Sequence, residues 1–185
     1  MLVYSIGHSN HSWEFFLGLL QGAKIDAIVD VRSLPRSRFP HFGRSALSAK
    51  LSVSAISYFY LGAELGGRPA GDTPLTYEQM AATLPFADGL DRVVALARRH
   101  TVALMCAEHD PLTCHRALLV GRHLVARGAD LQHILRDGRV EPQREFEDRH
   151  LATARQTEAD LFAPRAERLA LAYRNQEAAL YANGR

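Results

Sequence analysis

The segment MCAEHDPLTCHRALLVGRHL, residues 105–124, contains both cysteines of the chain, Cys106 and Cys114. Glu108 and His109 lie between them, and a His-Arg pair directly follows the second cysteine. Thiol, imidazole, carboxylate and guanidinium groups at this spacing fit four kinds of site: a disulfide, a metal site, a catalytic pocket, or two core cysteines with polar neighbours. The surrounding sequence distinguishes these alternatives.

A metal held by Cys106 and Cys114 needs a third and a fourth ligand. The candidate further ligands are His8, His109 and Glu108. The chain has no CxxC pair, which most structural zinc sites contain. His115 adjoins Cys114, and one metal ion rarely binds two neighbouring side chains. We therefore expect no cofactor, and a divalent metal at the two cysteines is the alternative.

A helix is predicted to begin directly after Thr113, its expected N-cap, so that Cys114, His115 and Arg116 lie in its first turn. Unpaired N–H groups and the positive end of the helix dipole bind anions there and lower the pKa of a thiol. The guanidinium group of Arg116 could donate two parallel hydrogen bonds to a phosphate or a carboxylate. A Cys-x5-Arg phosphatase loop is excluded, because Cys106 is too far from Arg116 and Cys114 is too close.

Two irregular loops are rich in arginine. Residues 31–63 contain no Asp or Glu, but they contain Arg32, Arg36, Arg38, Arg44 and Lys50. In the second loop, Arg68 follows Gly66 and Gly67, which permit a close backbone approach to a ligand. Aromatic rings suited to stacking on a base interleave with the first set: Phe39, His41 and Phe42. The loops therefore indicate an anionic ligand, and the alternative is peripheral arginines on loops that pack against the core.

Polar residues also follow three predicted parallel strands, at the point where each strand ends. These residues are His8 and Ser9 after LVYSIG, Asp30, Arg32 and Ser33 at the end of IDAIVDV, and Cys106 and Glu108 at the end of TVALMC. The carboxyl ends of parallel strands line one edge of a sheet, and ligands of open α/β folds bind outside that edge. We therefore expect these residues to lie close together.

The carboxylates and the histidine of this edge form a candidate acid/base cluster. Glu108 is predicted to act as a nucleophile or general base, and the alternative is a loop-capping or ion-pairing role. Asp30 is either a second carboxylate of the cluster or the ion-pair partner of Arg32 or Arg116. His8 completes the cluster.

Alternation of strands with helical patterns predicts an α/β fold. We expect a mostly parallel central sheet with helices on both faces, plus a C-terminal helical appendage. Strands are predicted at residues 2–7, 25–31, 56–61, 101–106 and 130–135, the last being the final strand, and a helix at 117–127. The stretch 61–74 is predicted as a loop. We expect residues 1–140 to form the α/β domain and 141–185 a helical extension that packs on the body or on a partner, including a second copy.

Composition limits the function classes. The 185 residues are 47% hydrophobic and 23% charged, as in an ordinary globular protein, and no window approaches 18 uninterrupted apolar residues. The opening MLVYSIGHSN lacks a basic region and predicts a strand rather than a signal peptide, so we expect a cytoplasmic protein with reduced cysteines and no membrane partner. The net charge of +2 is too small by itself to indicate a nucleic-acid partner.

Four motifs in order, IGHSN, VDVRSLPRSRFPHF, LGGR and CAEHDPLTCHR, resemble the family known as domain of unknown function 488. The resemblance covers roughly residues 2–150. It implies an intracellular α/β domain and brings no activity, so the chemistry has to be inferred from the residues.

Two functional hypotheses follow. The first is an enzyme, a hydrolase or a glycosyl- or phosphoester-transferring one, that acts on a phosphorylated, nucleotide-like or nucleic-acid substrate, with Glu108, Asp30 and His8 as catalytic residues. The anion-binding residues would be Ser9, Arg32, Ser33, Arg36, Arg38, Gly67, Arg68, Cys114, His115 and Arg116. The second is a non-catalytic nucleotide- or nucleic-acid-binding module that uses the basic, aromatic loop 32–44.

Overall fold

The structure is a computed structural model that describes residues 1–68, 75–154 and 163–182. Its described residues form one six-stranded sheet: β1 (Leu2–Gly7), β2 (Ala27–Asp30), β3 (Ser57–Tyr60), β4 (Val102–Cys106), β5 (Asp130–Ile134) and β6 (Val140–Pro142). The strand order is β3-β2-β4-β1-β5-β6. β1 through β5 pair in parallel, and β6 pairs antiparallel to β5. The predicted mostly parallel sheet is confirmed.

Helices connect the strands and follow them. They are α1 (Trp13–Gly22), α2 (Arg44–Val53), α3 (Gly62–Leu65), α4 (Tyr77–Ala81), α5 (Leu84–Ala97), α6 (Arg122–Ala126), α7 (Gln143–Thr153) and α8 (Arg165–Ala182). A π-helical segment, Arg116–Gly121, leads into α6. Ser12 caps α1 by accepting a hydrogen bond from the Phe15 N–H.

The central strands bury side chains on both faces, which is why they read as continuous apolar runs. On one face, Val29 and Leu104 belong to the core cluster that also contains residues of α5 and α6. On the other face, Ile28 and Met105 share a cluster with Phe16 of α1 and with residues of α2. The alternation of strand side chains between two helical layers confirms the predicted helices on both faces.

The C-terminal helix packs on the body of the protein. Tyr173 of α8 is buried with Phe146 of α7 and Leu118 of the π-helical segment. The Tyr181 hydroxyl donates to the Leu75 carbonyl at 2.7 Å. Pro164 directly precedes α8. The division of the chain at residue 140 stays a prediction.

Three local predictions differ from the structure. The strand at 130–134 is not the last one, because β6 follows it. Residues 62–65 of the predicted loop form the short helix α3, and residues 69–74 of that loop lie outside the described part of the chain. The helix after the second cysteine does not begin directly after Thr113, because Cys114 has an extended backbone; the π-helical segment begins at Arg116, with His115 at its N-cap position. In the described part of the chain, no helix has the length and hydrophobicity needed to cross a membrane.

Candidate functional site

The three polar strand ends are neighbours in the sheet. β4 lies between β2 and β1, with Gly7 in register with Cys106 and Asp30 in register with Met105. The main-chain hydrogen bonding between β1 and β4 continues past the ends of the strands, where the His8 N–H donates to the Cys106 carbonyl at 2.8 Å. A Cβ atom at Gly7 would lie 1.8 Å from the Glu108 carbonyl oxygen, so this close approach requires glycine. The expected meeting of the strand ends is confirmed.

A cleft of about 450 Å³ opens at this edge. It is lined by His8, Ser9, Asn10, Arg36, Ser37, Arg38, Phe39, Ala107, Glu108, His109 and Arg136. Five of the predicted site residues are among them: His8, Ser9, Arg36, Arg38 and Glu108. The cleft therefore brings together residues that follow β1, β2, β4 and β5.

Positive charge dominates this cleft. Arg36 and Arg38 are exposed, and the Arg38 guanidinium lies 5.1 Å from the centre of the Phe39 ring. Arg136 donates to Oδ1 of Asn10 at 3.1 Å. Across the described parts of the chain, none of the three arginines forms an ion pair with a carboxylate. Three guanidinium groups without acidic partners in the described part of the chain make the cleft suitable for an anion.

Asp30 and Arg32 form a buried ion pair behind the cleft. Arg32 Nε and Nη2 donate to Asp30 Oδ1 and Oδ2 at 2.9 and 2.6 Å. The Arg32 main-chain N–H and the Tyr58 hydroxyl occupy the remaining acceptor positions, at 3.1 and 2.7 Å. Burial lowers the pKa of Arg32, but the hydrogen bond and charge of Asp30 outweigh it and raise that pKa. This geometry matches the ion-pair alternative for Asp30, and its catalytic role stays a prediction.

Arg32 also holds the arginine-rich loop, residues 32–44, in place through hydrogen bonds to main-chain carbonyls. Its Nη1 donates to the Phe42 carbonyl at 2.9 Å and reaches the Arg36 carbonyl at 3.5 Å. The same atom lies 3.3 Å from Nε2 of His8. The Asp30 and Arg32 pair therefore holds the backbone from which Arg36 projects.

His8 is a buried, neutral imidazole. Its Nδ1 lies 2.9 Å from the Ser9 carbonyl oxygen, which only accepts, so Nδ1 carries the proton and Nε2 accepts from Arg32. The ring stacks on Phe42 with 4.3 Å between centroids. Burial, followed by the charge of Arg32, lowers the pKa of His8 to about 4.

Both cysteines lie beside His115 in a second cluster. Nδ1 of His115 is 3.8 Å from Cys106 Sγ and 3.9 Å from Cys114 Sγ, and the cysteines are free and buried. Burial raises the pKa of Cys114, but a hydrogen bond from Cys106 and the charge of Arg116 outweigh it, so that pKa lies well below its usual value. The same hydrogen bond and burial raise the pKa of Cys106. Among the described residues, these three side chains are the group that could hold a metal ion.

Arg116 is fully buried next to this cluster. Its two Nη atoms donate to the main-chain carbonyls of Glu108 and His109, the latter at 3.0 Å. Its Nε has no hydrogen-bond partner among the described residues. The terminal nitrogens of Arg116 therefore already contact the main chain of residues 108–109. This position does not match the predicted role of Arg116 in binding an anion in the cleft.

The second glycine-containing loop packs over the cysteine cluster and does not line the cleft. The Arg68 N–H donates to Ser33 Oγ at 2.9 Å. A Cβ atom at Gly67 would lie 2.7 Å from Cβ and Cγ of His115, so this loop presses directly on the imidazole. Ser33, Gly67 and Arg68 thus belong to the surroundings of the cysteine cluster.

The sequence analysis assigned no role in this cleft to four of its polar residues: Asn10, Ser37, His109 and Arg136. Arg136 carried a usable signal, because it follows the predicted strand 130–135 and so lies at a carboxyl strand end. A larger cavity of about 640 Å³ lies between α4, α6 and α8. It contains none of the strand-end residues, and we therefore place the candidate site at the smaller cleft.

Fold and site together define an α/β protein with a basic cleft at the carboxyl edge of its sheet. The model of the family described as domain of unknown function DUF488 matches residues 12–123, more than half of the chain. The chain belongs to this family. The matched segment runs from α1 to α6 and includes both cysteines. No significant match exists among curated proteins or solved structures.

Proposed function

We propose that the protein is an enzyme that acts on a phosphorylated, nucleotide-like substrate bound in the basic cleft. The observation that supports this most strongly is the set of three cleft arginines without acidic partners among the described residues: Arg36, Arg38 and Arg136. Guanidinium groups bind phosphate through paired, charge-assisted hydrogen bonds. The substrate class is therefore one that carries at least one phosphate.

Glu108 is the residue to which we assign the chemical step. It lines the cleft and lies two residues after the end of β4. A carboxylate beside a bound phosphoester or glycosidic bond acts as a general base or nucleophile, which gives hydrolysis or group transfer. Ser9 and Asn10 line the same cleft and supply neutral hydrogen-bonding groups for the substrate.

The buried residues behind the cleft have supporting roles in this proposal. Both Asp30 oxygens already accept hydrogen bonds, and Nε2 of His8 accepts from Arg32. We therefore assign Asp30, Arg32 and His8 to holding the arginine-rich loop in place and no longer to acid/base catalysis.

The alternative, a non-catalytic nucleic-acid binder, depends on exposed rings in loop 32–44. Phe42 is fully buried under His8, and Nε2 of His41 hydrogen bonds to the His11 carbonyl at 3.0 Å. Phe39 is the one ring of the three that lines the cleft. A single ring supports one stacked base better than a run of bases, which favours a nucleotide-sized ligand.

The binding part of the proposal is tested with a panel of nucleoside mono-, di- and triphosphates, the matching nucleosides, and a single-stranded oligonucleotide. The double variant R36A/R38A is expected to bind the nucleotides at least about 10-fold more weakly, because each lost charged hydrogen bond contributes about 1.5–3 kcal/mol. The matched control is R98A/R99A, which removes two exposed arginines at the end of α5, near the opposite edge of the sheet. Equal affinities in both variants would show that the cleft is not the binding site.

The catalytic part is tested with E108Q on any nucleotide that the wild-type protein converts. We expect binding within a few-fold of wild type and a loss of turnover of about 100-fold or more. Full turnover by E108Q overturns the assignment. Tight, steeply salt-dependent oligonucleotide binding without conversion of any nucleotide would instead establish the non-catalytic alternative.

A further inference from the structure

The cysteine cluster is separate from the cleft and has its own geometry. Cys106 ends β4, and Cys114 and His115 lie eight and nine residues later, directly before the π-helical segment. The two sulfur atoms and one imidazole nitrogen lie within 4.8 Å of one another. Neighbouring residues 114 and 115 therefore both point to one centre, which the spacing of the sequence had argued against.

A hydrogen bond fixes the tautomer of His115. Its Nε2 lies 2.8 Å from the Val31 carbonyl oxygen. A carbonyl oxygen only accepts, so Nε2 carries the proton and Nδ1 presents its lone pair to both sulfur atoms. Metal-binding histidines are commonly oriented in this way, by donation from the other ring nitrogen to a carbonyl or carboxylate oxygen.

The distances fit a shared metal ion. In zinc sites the metal lies about 2.3 Å from sulfur and about 2.1 Å from nitrogen. With these bond lengths and an angle of about 120° at the metal, the sulfur and the nitrogen are about 3.8 Å apart. The observed separations from Nδ1 are 3.8 Å to Cys106 Sγ and 3.9 Å to Cys114 Sγ. An ion between the three atoms would replace the hydrogen bonds among the two thiols and the imidazole with three metal–ligand bonds.

We propose that Cys106, Cys114 and His115 form a three-ligand site for one thiophilic metal ion, and that this ion is monovalent copper. Two thiolates and a neutral imidazole suit both Cu(I) and zinc. Each thiol releases its proton to solvent as it binds the metal.

The buried charge of Arg116 selects between the two ions. Two thiolates with Cu(I) carry a net charge of −1, which the guanidinium of Arg116 neutralises. With zinc the same three ligands give a neutral site, and Arg116 then remains a fully buried cation that contacts carbonyls and no carboxylate among the described residues. An uncompensated buried charge is unfavourable, so the pocket favours the monovalent ion.

Access to the site is restricted. Cys106 and Cys114 are 6% and 2% exposed, and Gly67 presses on His115 from the loop above. A buried site with three protein ligands and little access to solvent suits trigonal coordination without a bound water. The inference does not rest on the proposed function of the cleft.

The experiment titrates the reduced, metal-free, full-length protein with Cu(I) buffered by a competing chelator, and separately with Zn(II). We expect one Cu(I) per chain, bound more tightly than zinc. X-ray absorption of the wild-type copper complex should show two sulfur neighbours and one nitrogen neighbour, with the sulfurs at about 2.3 Å. This readout does not depend on the folding of any variant.

Ligand variants provide the second readout. C106S and H115N should weaken Cu(I) binding more than about 100-fold, because loss of an outer partner alone costs about 10- to 100-fold. The matched control H100N changes a histidine at the other end of β4, and R36A/R38A changes the cleft, so both should bind copper as wild type does. Absence of stoichiometric binding of either ion, or wild-type binding by C106S and H115N, overturns the site. Tighter binding of zinc than of Cu(I) overturns the assignment of the ion to monovalent copper.

Discussion

At the scale of single residues, burial decides how much an ion pair contributes to the free energy of unfolding. The chain contains two Asp-Arg pairs at the same spacing, Asp30 with Arg32 and Asp137 with Arg139. In both, the arginine Nε and main-chain N–H donate to the carboxylate. The first pair is fully buried, and the second lies on the surface. The same local geometry thus occurs in two environments.

We predict that D30N destabilises the protein strongly and that D137N does not. D30N leaves Arg32 as a buried charge without its partner, which costs about 3–5 kcal/mol of the free energy of unfolding. D137N removes a solvent-screened contact and should leave the unfolding curve almost unchanged. Urea denaturation of the two variants provides the comparison. Similar curves for both would mean that Asp30 does not act as a buried ion-pair partner.

Residue types at strand ends predicted the cleft only in part. His8, Ser9 and Glu108 were identified because each follows a strand that the sequence pattern reveals. The ion pair of Asp30 remained one of two alternatives, because a sequence does not show which acceptor lone pairs are already used. Arg136 was missed because its proximity to Asn10 depends on β5 lying next to β1, and strand order follows from tertiary packing.

At the scale of elements, two helical glycines have opposite surroundings. Gly18 lies in the middle of α1, and a Cβ atom there meets nothing within 4 Å. Gly121 ends the π-helical segment, and a Cβ atom there would lie 2.6 Å from Cδ2 of Leu131 on β5. Helix propensity favours alanine at both positions, and packing opposes it at one.

We predict that G18A raises the free energy of unfolding by about 0.5–1 kcal/mol, because alanine restricts the unfolded chain and fits the helix. G121A should lower it by about 1–3 kcal/mol, because the added methyl group forces the helix away from β5. Thermal unfolding of the two variants gives both values. Stabilisation by G121A would contradict the close packing of this segment on the sheet.

The strands β2, β3 and β4 were predictable because apolar and aromatic residues dominate their sequences, AIVD, SYFY and VALMC. β6 was not, because three residues that end in Pro142 carry no strand pattern of their own and depend on pairing with β5. The π-helical segment was missed because residues 117–127 show ordinary helical periodicity. A π-helical turn contains about one more residue than an α-helical turn, and its hydrogen bonds join residues five apart along the chain. Over one such turn the spacing of apolar residues stays almost the same, so the sequence does not reveal it.

At the scale of the whole molecule, one buried imidazole links β1, β5 and α7. Nε2 of His133 donates to Gln143 Oε1 at 3.0 Å, and its Nδ1 accepts from the Ser5 hydroxyl at 2.7 Å. This network requires a neutral ring. Burial, together with the charges of Arg116 and Arg149, lowers the pKa of His133 to about 3, although the hydrogen bond to Gln143 opposes the shift.

We predict that the protein loses stability as the pH falls below about 6.5, the ordinary pKa of histidine. Below that pH the unfolded chain binds a proton at His133 and the folded protein does not, which costs about 3 kcal/mol between pH 7 and pH 4. The variant H133Q is less stable at pH 7 but should lose less stability over this range. Urea denaturation at several pH values tests this, and parallel pH profiles for the two proteins would contradict it.

The position of β1 in the sheet has a consequence for synthesis. Val3 of β1 pairs with Val102 of β4 and Leu131 of β5, so both neighbours of the first strand are about 100 residues or more away along the chain. A ribosome that adds roughly 5–20 residues per second leaves β1 without either neighbour for about 5 to 20 s. The nascent chain must keep this apolar strand from aggregating during that interval. The residues of the cleft therefore meet only after most of the chain has been translated.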